Sequence, residues 1–123
     1  MKRIIIDTNA LMGIASFNLD IFAAIQDAVD FPYQLMILEG TIDELEKIEK
    51  EQSGKDKMGA KLALRIISSK KIHLIKEEGF VDDLLVKHSF EGDLILTQDI
   101  GLKKRLRRPY LTIRQQKKVI VVG

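Results

Sequence analysis

The sequence predicts an α/β fold in which a central, mainly parallel β-sheet is flanked by helices on both sides. Two observations support this prediction. Wholly apolar runs at residues 4–6 and 94–96 are typical of strands that are buried on both faces of a parallel sheet. The segments between such runs carry apolar residues at helical spacing, and strands that alternate with helices indicate parallel crossover units. A chain of 123 residues is expected to form one domain over residues 1–123.

Capping residues and helix breakers set the expected boundaries. Thr41 and Glu44 have the spacing of a capping box, with Thr41 as the N-cap of the third helix. Asp56 is expected to cap the fourth helix, and Pro109 to end the sixth. The expected strands cover residues 4–6, 33–38, 72–75, 94–96, 111–113 and 119–122. The expected helices cover residues 10–15, 20–29, 41–48, 56–67, 82–88 and 100–107.

Composition narrows the class of protein. The chain has no cysteine, which excludes disulfides, thiolate metal sites and a cysteine nucleophile, and which fits a reducing cytoplasm. No apolar run approaches the ~20 residues that a membrane span requires. The opening apolar run is too short for a signal peptide. We therefore expect a cytoplasmic protein without a membrane partner.

Charge is distributed unevenly along the chain. Residues 1–99 carry all 18 acidic residues and 12 basic ones, whereas residues 100–123 carry eight basic residues and no acid. Clustered carboxylates hold cations, and clustered Lys and Arg side chains hold phosphates. The C-terminal basic segment is therefore expected to contact a polyanion, through a group of five side chains: Lys103, Lys104, Arg105, Arg107 and Arg108. The structural alternative is a solvated helix face.

Acidic side chains stand where strands end or helices begin. Asp7 follows the first strand, Asp99 follows the fourth, and Glu44 and the pair Asp82-Asp83 lie near helix starts. Taken singly, each has an alternative role as a helix cap. If they converge on one edge of the sheet, their mutual repulsion favours a bound divalent cation, and oxygen ligands suit Mg²⁺ or Mn²⁺. Such an ion can activate water and stabilise the charge that develops during phosphodiester hydrolysis.

Four motifs in order resemble the PIN-domain nucleases: residues 4–9 (IIIDTN), 41–45 (TIDEL), 81–85 (VDDLL) and 94–99 (LILTQD). The resemblance implies a PIN-like three-layer sandwich and an enzyme that cuts RNA with Mg²⁺ or Mn²⁺. Carried over by position, the metal-holding catalytic acids would be Asp7, Glu44, Asp82 and Asp99. Asn9 and Thr97 would orient those carboxylates by hydrogen bonds. Asp82 is preferred within the acidic pair because the family places its acid just before a hydrophobic pair, and Asp83 is the alternative.

Two branches of the family fit. The basic helix that follows Asp99 looks like that of the PIN nucleases of ribosomal RNA processing, which implies a ribosome-assembly partner. The small size looks like the VapC-type toxins, which a separate antitoxin inhibits. We lean towards the RNA-processing branch, and members of the family often form homodimers.

Three other functional classes share features with this sequence. A catalytically weak module that binds RNA or a protein, with structural acids, is the main alternative to a ribonuclease. A phosphatase with a covalent Asp7 would usually have a second Asp at the position of Asn9. A receiver domain would have a pair of acids at the end of the first strand, which this chain lacks. Metal binding discriminates the nuclease from the binding module.

Overall fold

Six strands and six helices alternate along the computed structural model, which describes all 123 residues. The strands are β1 (Lys2–Ile6), β2 (Tyr33–Leu38), β3 (Ile72–Ile75), β4 (Leu94–Leu96), β5 (Tyr110–Arg114) and β6 (Lys118–Val122). The helices are α1 (Thr8–Ser16), α2 (Ile21–Ala28), α3 (Glu39–Glu51), α4 (Gly54–Ser69), α5 (Val81–Phe90) and α6 (Ile100–Arg105). The predicted α/β class is confirmed.

All six strands form one sheet in the order β3-β2-β1-β4-β5-β6. Strands β1 to β5 are parallel, and β6 pairs with β5 in the antiparallel direction. The order reverses between β1 and β4, because the chain first builds outward through β2 and β3 and then returns to the other side of β1. In sheets of this kind, ligands bind beyond the carboxyl ends of the strands at this switch point.

Alternating side chains of the central strands create a core on each face of the sheet. Ile4 and Ile6 point into a large core with α1, α2, α3 and α4, whereas Ile5 points into a smaller core with α5 and α6. Because successive residues of a strand face opposite sides, a run of three isoleucines can fill both cores. The result is a three-layer sandwich in which residues 4–6 of the central strand are fully buried.

The start of α3 differs from the sequence prediction. The helix begins at Glu39, and its N-cap residue is Leu38, which makes no side-chain capping bond. The predicted capping box of Thr41 and Glu44 is therefore wrong. Tertiary packing decides this, because Thr41 is fully buried inside the first turn and its hydroxyl lies 3.3 Å from that of Thr8. Glu44 is consequently free to face solvent.

Other helix boundaries also shift. Helix α3 continues to Glu51 and α4 already begins at Gly54, so the predicted loop between them shrinks to two residues. Ser53 is the N-cap of α4, and the predicted cap Asp56 lies within its first turn. Helix α6 ends at Arg105 instead of residue 107, before Pro109 is reached. The run of basic residues between Lys103 and Arg108 is therefore helical only as far as Arg105.

No individual helix is long and apolar enough to span a membrane. Helices α1 and α2 reach that length and apolar content only together, and the chain bends by 111° between them. Both contribute buried residues to the larger core.

Candidate active site

A cleft of about 510 Å³ opens beyond the carboxyl ends of β1 and β4, at the switch point of the sheet. The cleft brings together all four predicted catalytic acids, together with the predicted supporting residues Asn9 and Asp83. Its walls are formed by Asp7, Thr8, Asn9, Glu44, Phe80, Val81, Asp82, Asp83, Asp99 and Arg105. We refer to it as the carboxylate cleft.

Asp7 lies at the base of the carboxylate cleft and is only 4% exposed. It is the N-cap residue of α1, and its Oδ1 accepts a hydrogen bond of 2.8 Å from the Thr8 amide. Its Oδ2 accepts a second bond of 2.8 Å from the hydroxyl of Thr97. The capping role and the functional placement are therefore compatible, since both oxygens keep further lone pairs for a ligand.

Thr97 and Asp99 follow β4 and are linked to each other. The amide of Asp99 donates to the Thr97 hydroxyl at 3.0 Å, and Oδ1 of Asp99 caps α6 by accepting from the Leu102 amide at 2.8 Å. A β-carbon at Gly101 would lie 3.2 Å from that same Oδ1. The turn thus fixes one oxygen of Asp99 as a helix cap and leaves the other for the cleft.

The two helices on either side of the cleft come very close at their first turns. Gly40 of α3 faces Val81 of α5, and a β-carbon at residue 40 would lie 2.8 Å from Cγ2 of Val81. This close approach brings the helix that carries Glu44 next to the helix that carries Asp82. Glycine at residue 40 is therefore part of the reason that these two acids share one cleft.

The two acids at the start of α5 differ in their partners. Asp83 accepts a hydrogen bond of 2.7 Å from Nη2 of Arg105, which makes an ion pair. Asp82 is exposed in the cleft and forms no ion pair. Its charge is close enough to act on both Asp7 and Glu44. Of the two, Asp82 is therefore the one whose carboxylate is available to a cation.

The surroundings of Asp7 and Glu44 disfavour the charged forms of these two side chains. Burial raises the pKa of Asp7, bonds from Thr97 and Thr8 oppose that rise, and the charges of Asp82 and Asp99 add to it. Partial desolvation also raises the pKa of Glu44 at the cleft mouth, where a hydrogen bond from Thr8 opposes the rise and the charges of Asp7 and Asp82 add to it. Carboxylates in this state are stabilised by a bound cation or by a proton.

The donor set fits a hard divalent cation such as Mg²⁺ or Mn²⁺, because every candidate ligand is a carboxylate oxygen. The four acids Asp7, Glu44, Asp82 and Asp99 could hold it. Where the side chains now stand, no three acidic or histidine side chains are grouped closely enough to hold one ion. Binding would therefore require the exposed carboxylates to close on the ion around the fixed Asp7.

The predicted supporting residues are not equivalent in the structure. Thr97 makes the predicted hydrogen bond to a carboxylate of the cleft, that of Asp7. Asn9 is exposed on the cleft wall, and the hydrogen bonds that order the cleft do not involve its side chain. Phe80, which sequence analysis did not single out, is 82% exposed on the same wall. The only signal for it was an aromatic residue just before the acidic pair.

The five predicted phosphate-binding side chains do not form one surface. Arg105 lines the carboxylate cleft, whereas Arg107 and Arg108 line a separate pocket at the opposite edge of the sheet. Lys103 is half-buried and Lys104 is exposed on α6. The division follows from the early end of α6, which directs the last two arginines away from the cleft.

Comparison with known proteins gives consistent matches. The family described as "PIN like domain" matches residues 4–116. Ribonuclease VapC4 of Methanocaldococcus jannaschii is 26% identical over 130 residues, covering 100% of this chain and 98% of that protein. Ribonuclease VapC9 of Archaeoglobus fulgidus is 25% identical over 122 residues, covering 95% and 87%. The structure of the PIN domain endonuclease Utp24 superposes with a TM-score of 0.78 at 23% identity, covering 97% of this chain and 90% of that one.

Proposed function

The chain belongs to the PIN-like domain family, as its four ordered motifs predicted, and on that premise we propose that it is a divalent-metal-dependent endoribonuclease. One observation carries the proposal: the four acids that the motifs single out share one cleft at the switch point of the sheet. Two relatives that match over most of their own length are named ribonucleases, which supports RNA as the substrate.

The four acids and Thr97 have separate tasks in the proposed reaction. Asp7, Glu44, Asp82 and Asp99 would hold Mg²⁺ or Mn²⁺, an ion that would supply activation of water and stabilisation of the charge developing on the phosphodiester. The Thr97 hydroxyl keeps the carboxylate of Asp7 directed into the cleft. Desolvation at the base of the cleft strengthens the attraction between Asp7 and a cation, because the local dielectric is low.

Arg105 and Phe80 are placed to handle the substrate. Arg105 lies in the cleft beside the acids, where its guanidinium can contact a phosphate of the RNA backbone while Asp83 restrains it. The exposed ring of Phe80 offers a stacking surface for one unpaired base. A single aromatic ring favours single-stranded or looped RNA over duplex, since only unstacked bases can reach it.

The two branches of the family imply different cellular roles. The relatives named VapC favour a toxin that is held by an antitoxin, whereas the basic helix after Asp99 favours RNA processing. Induced expression of the wild type and of Asp7→Asn in a bacterial host separates them. Growth arrest that requires Asp7 supports the toxin, and normal growth with an active purified enzyme supports processing.

The experiment that tests the activity itself uses two glutamates of α3. Glu44→Gln alters the cleft, whereas Glu46→Gln makes the same chemical change at an exposed position outside it. Labelled structured RNA is incubated with each variant in Mn²⁺ and in EDTA. We expect cutting by wild type and by Glu46→Gln in Mn²⁺ only, and strongly reduced cutting by Glu44→Gln. If all three proteins bind the RNA but none of them cuts it, with or without Mn²⁺, the result would favour the binding module.

A further inference from the structure

A second pocket, of about 250 Å³, lies at the amino-terminal edge of the sheet, opposite the carboxylate cleft. Its lining residues precede or begin the parallel strands: Lys2 begins β1, Asp93 precedes β4, and Arg107 and Arg108 precede β5. We refer to it as the amino-edge pocket. It has no part in the chemistry proposed for the cleft.

Three cationic side chains surround the amino-edge pocket, and none of them is neutralised by a carboxylate side chain. Nζ of Lys2 donates to the Gly92 carbonyl at 3.4 Å, and Nη1 of Arg107 donates to the Phe90 carbonyl at 3.5 Å. Nη1 of Arg108 donates at 3.1 Å to a main-chain oxygen of Gly123, the last residue of the sequence. The carbonyl partners of Lys2 and Arg107 orient those two side chains but leave their positive charges uncompensated.

The one acidic residue on the pocket wall is already engaged. Oδ2 of Asp93 lies 3.2 Å from Nη2 of Arg3 and 3.1 Å from Nδ1 of His88. Its negative charge is therefore directed towards partners outside the pocket. The pocket retains a net positive charge, which attracts anions.

The lining of the pocket also includes apolar residues. Among them are Phe31, Pro109 and Val121, and Val121 is 43% exposed although it is a large hydrophobic residue. Cationic and apolar side chains in one pocket match a nucleotide, whose phosphate is anionic and whose base presents apolar faces. Pockets that bind small ligands commonly combine apolar walls with a few placed polar groups.

We propose that the amino-edge pocket binds one nucleotide of a single-stranded RNA whose scissile bond lies in the carboxylate cleft. The base packs on Phe31, Pro109 and Val121, and Lys2, Arg107 and Arg108 contact the phosphates that flank it. The proposal rests on the proposed function, because that function identifies the bound RNA as the substrate.

The two sites are separated by a distance that a short RNA can span. Lys2 lines the amino-edge pocket and Asp7 lines the cleft, five residues apart along β1. At ~3.3 Å per strand residue the straight-line separation through the buried strand is about 17 Å, and a path over the protein surface is longer. Stacked nucleotides advance ~3.4 Å each, so an RNA that links the two sites needs more than about five nucleotides. The basic segment that joins Asp99 to Arg107 runs between the sites and supplies Lys104 along the way.

The test is a binding measurement without metal, so that no RNA is cut. A fluorescent six-nucleotide single-stranded RNA of mixed sequence is titrated in EDTA against wild type, Arg107→Ala/Arg108→Ala and the control Lys61→Ala/Arg65→Ala. The control removes two exposed cations from α4, which faces away from the pocket. We expect the pocket variant to bind about ten-fold more weakly and its salt slope to fall by about 1.4, as for two lost phosphate contacts. The control should bind like wild type.

Amide NMR of the wild type provides a readout that does not depend on the folding of a variant. The hexanucleotide should shift the signals of Gly92 and Val121 in the pocket, and adenosine 5′-monophosphate should shift the same signals. Hexanucleotide shifts confined to the carboxylate cleft would overturn the proposal. Shifts with the monophosphate alone would also overturn it, because the ligand would then be a free nucleotide.

Failure of this inference differs from failure of the proposed function. An enzyme that cuts RNA with Mn²⁺ but binds the hexanucleotide equally well with and without Arg107 and Arg108 would contradict only the pocket. A protein that binds the hexanucleotide through the pocket but never cuts RNA in Mn²⁺ would contradict the nuclease and leave the pocket standing.

Discussion

The hydroxyl of Thr97 donates a hydrogen bond of 2.8 Å to Oδ2 of Asp7 and so joins the end of β4 to the end of β1. The same hydroxyl oxygen accepts the Asp99 amide at 3.0 Å. One fully buried side chain therefore fixes the carboxylate of Asp7 and the backbone at Asp99. Mutation of a residue that orients a metal ligand in this way typically costs about 10- to 100-fold in metal affinity or activity.

Replacing Thr97 tests this arrangement. Thr97→Val keeps the shape of the side chain but removes the hydroxyl, so we expect RNA cleavage to fall by about 10- to 100-fold. Thr97→Ser keeps the hydroxyl and should restore most of the rate. Cleavage rates at saturating Mn²⁺ provide the measurement. Equal rates for the Val and Ser variants would contradict an orienting role.

The acidic pair of α5 gives a second prediction. Asp82→Asn should reduce cleavage by about 100-fold or more, because its carboxylate is free to hold the cation. Asp83→Asn should reduce it by no more than about five-fold, the equivalent of the ~1 kcal/mol upper range of an exposed ion pair. Both rates are measured under the same conditions. A larger loss in Asp83→Asn would assign the ligand to Asp83.

The close approach of α3 and α5 predicts a clash that can be relieved. Alanine is usually the better residue in a helix, by about 0.5–1 kcal/mol over glycine. At residue 40, however, the new β-carbon would meet Val81 at 2.8 Å, and overpacking of this kind costs about 1–3 kcal/mol. We therefore expect Gly40→Ala to lower the Tm and to slow cleavage by moving Glu44 away from Asp82.

Val81→Ala supplies the control for that prediction. In a chain that already carries Val81→Ala, the change Gly40→Ala should no longer lower the Tm, because the colliding methyl group is gone. Such a double-mutant cycle isolates the interaction of the two positions. A Tm that rises in Gly40→Ala alone would show that the helices have room to spare.

Glu77 predicts a pH-dependent contribution to stability. Hydrogen bonds from Lys87 and from Nε2 of His88 lower the pKa of Glu77, with desolvation opposing them. A carboxyl group whose pKa is lower in the folded protein stabilises it above the unfolded-state value of 4.5, and this contribution disappears as the pH falls through the lowered pKa. The contacts connect the loop before α5 to the last turn of that helix.

Glu77→Gln should therefore lower the Tm by a few degrees at pH 7, and the difference from wild type should shrink as the pH falls below about 4.5. Thermal unfolding followed by circular dichroism across this range measures it. Glu78→Gln, at the exposed neighbouring position, is the matched control. A Tm difference that stays constant with pH would show that the charge of Glu77 has no part in the effect.

Much of the fold and of the cleft could be predicted from local sequence signals. Residues 4–6 and 94–96 are apolar throughout because they are buried on both faces, and this pattern is visible without a structure. Parallel strands place their carboxyl ends at one edge of the sheet. The sequence therefore predicted that Asp7 and Asp99 lie close together. The family motifs then indicated where Glu44 and Asp82 would join them.

The remaining features depend on contacts between distant residues. Thr41 looked like a helix cap because its spacing to Glu44 is correct, but packing against Thr8 places it inside the helix. The basic run looked continuous, yet α6 ends at Arg105 and the later arginines reach the opposite edge. The ion pair of Arg105 with Asp83 joins residues 22 positions apart, and no local sequence pattern predicts it.

Binding of Mn²⁺ to the carboxylate cleft tests the central claim most directly. Wild type is compared with Asp7→Asn and with Asp43→Asn, which makes the same change at an exposed position of α3 outside the cleft. Folding raises the pKa of Asp7, so its charged form disfavours the folded state as the pH rises from the unfolded-state value of 3.8 through that raised pKa. This electrostatic cost is absent in the Asn variant, which is therefore expected to fold.

Electron paramagnetic resonance of free Mn²⁺ gives the bound fraction, and labelled RNA added to the same samples gives the cleavage rate. We predict that wild type and Asp43→Asn bind Mn²⁺ and cut RNA, and that Asp7→Asn binds at least about 10-fold more weakly and cuts little or none. Wild type that binds no Mn²⁺, or binding and cutting that are unchanged in Asp7→Asn, would contradict the claim that these carboxylates form a metal-dependent nuclease site.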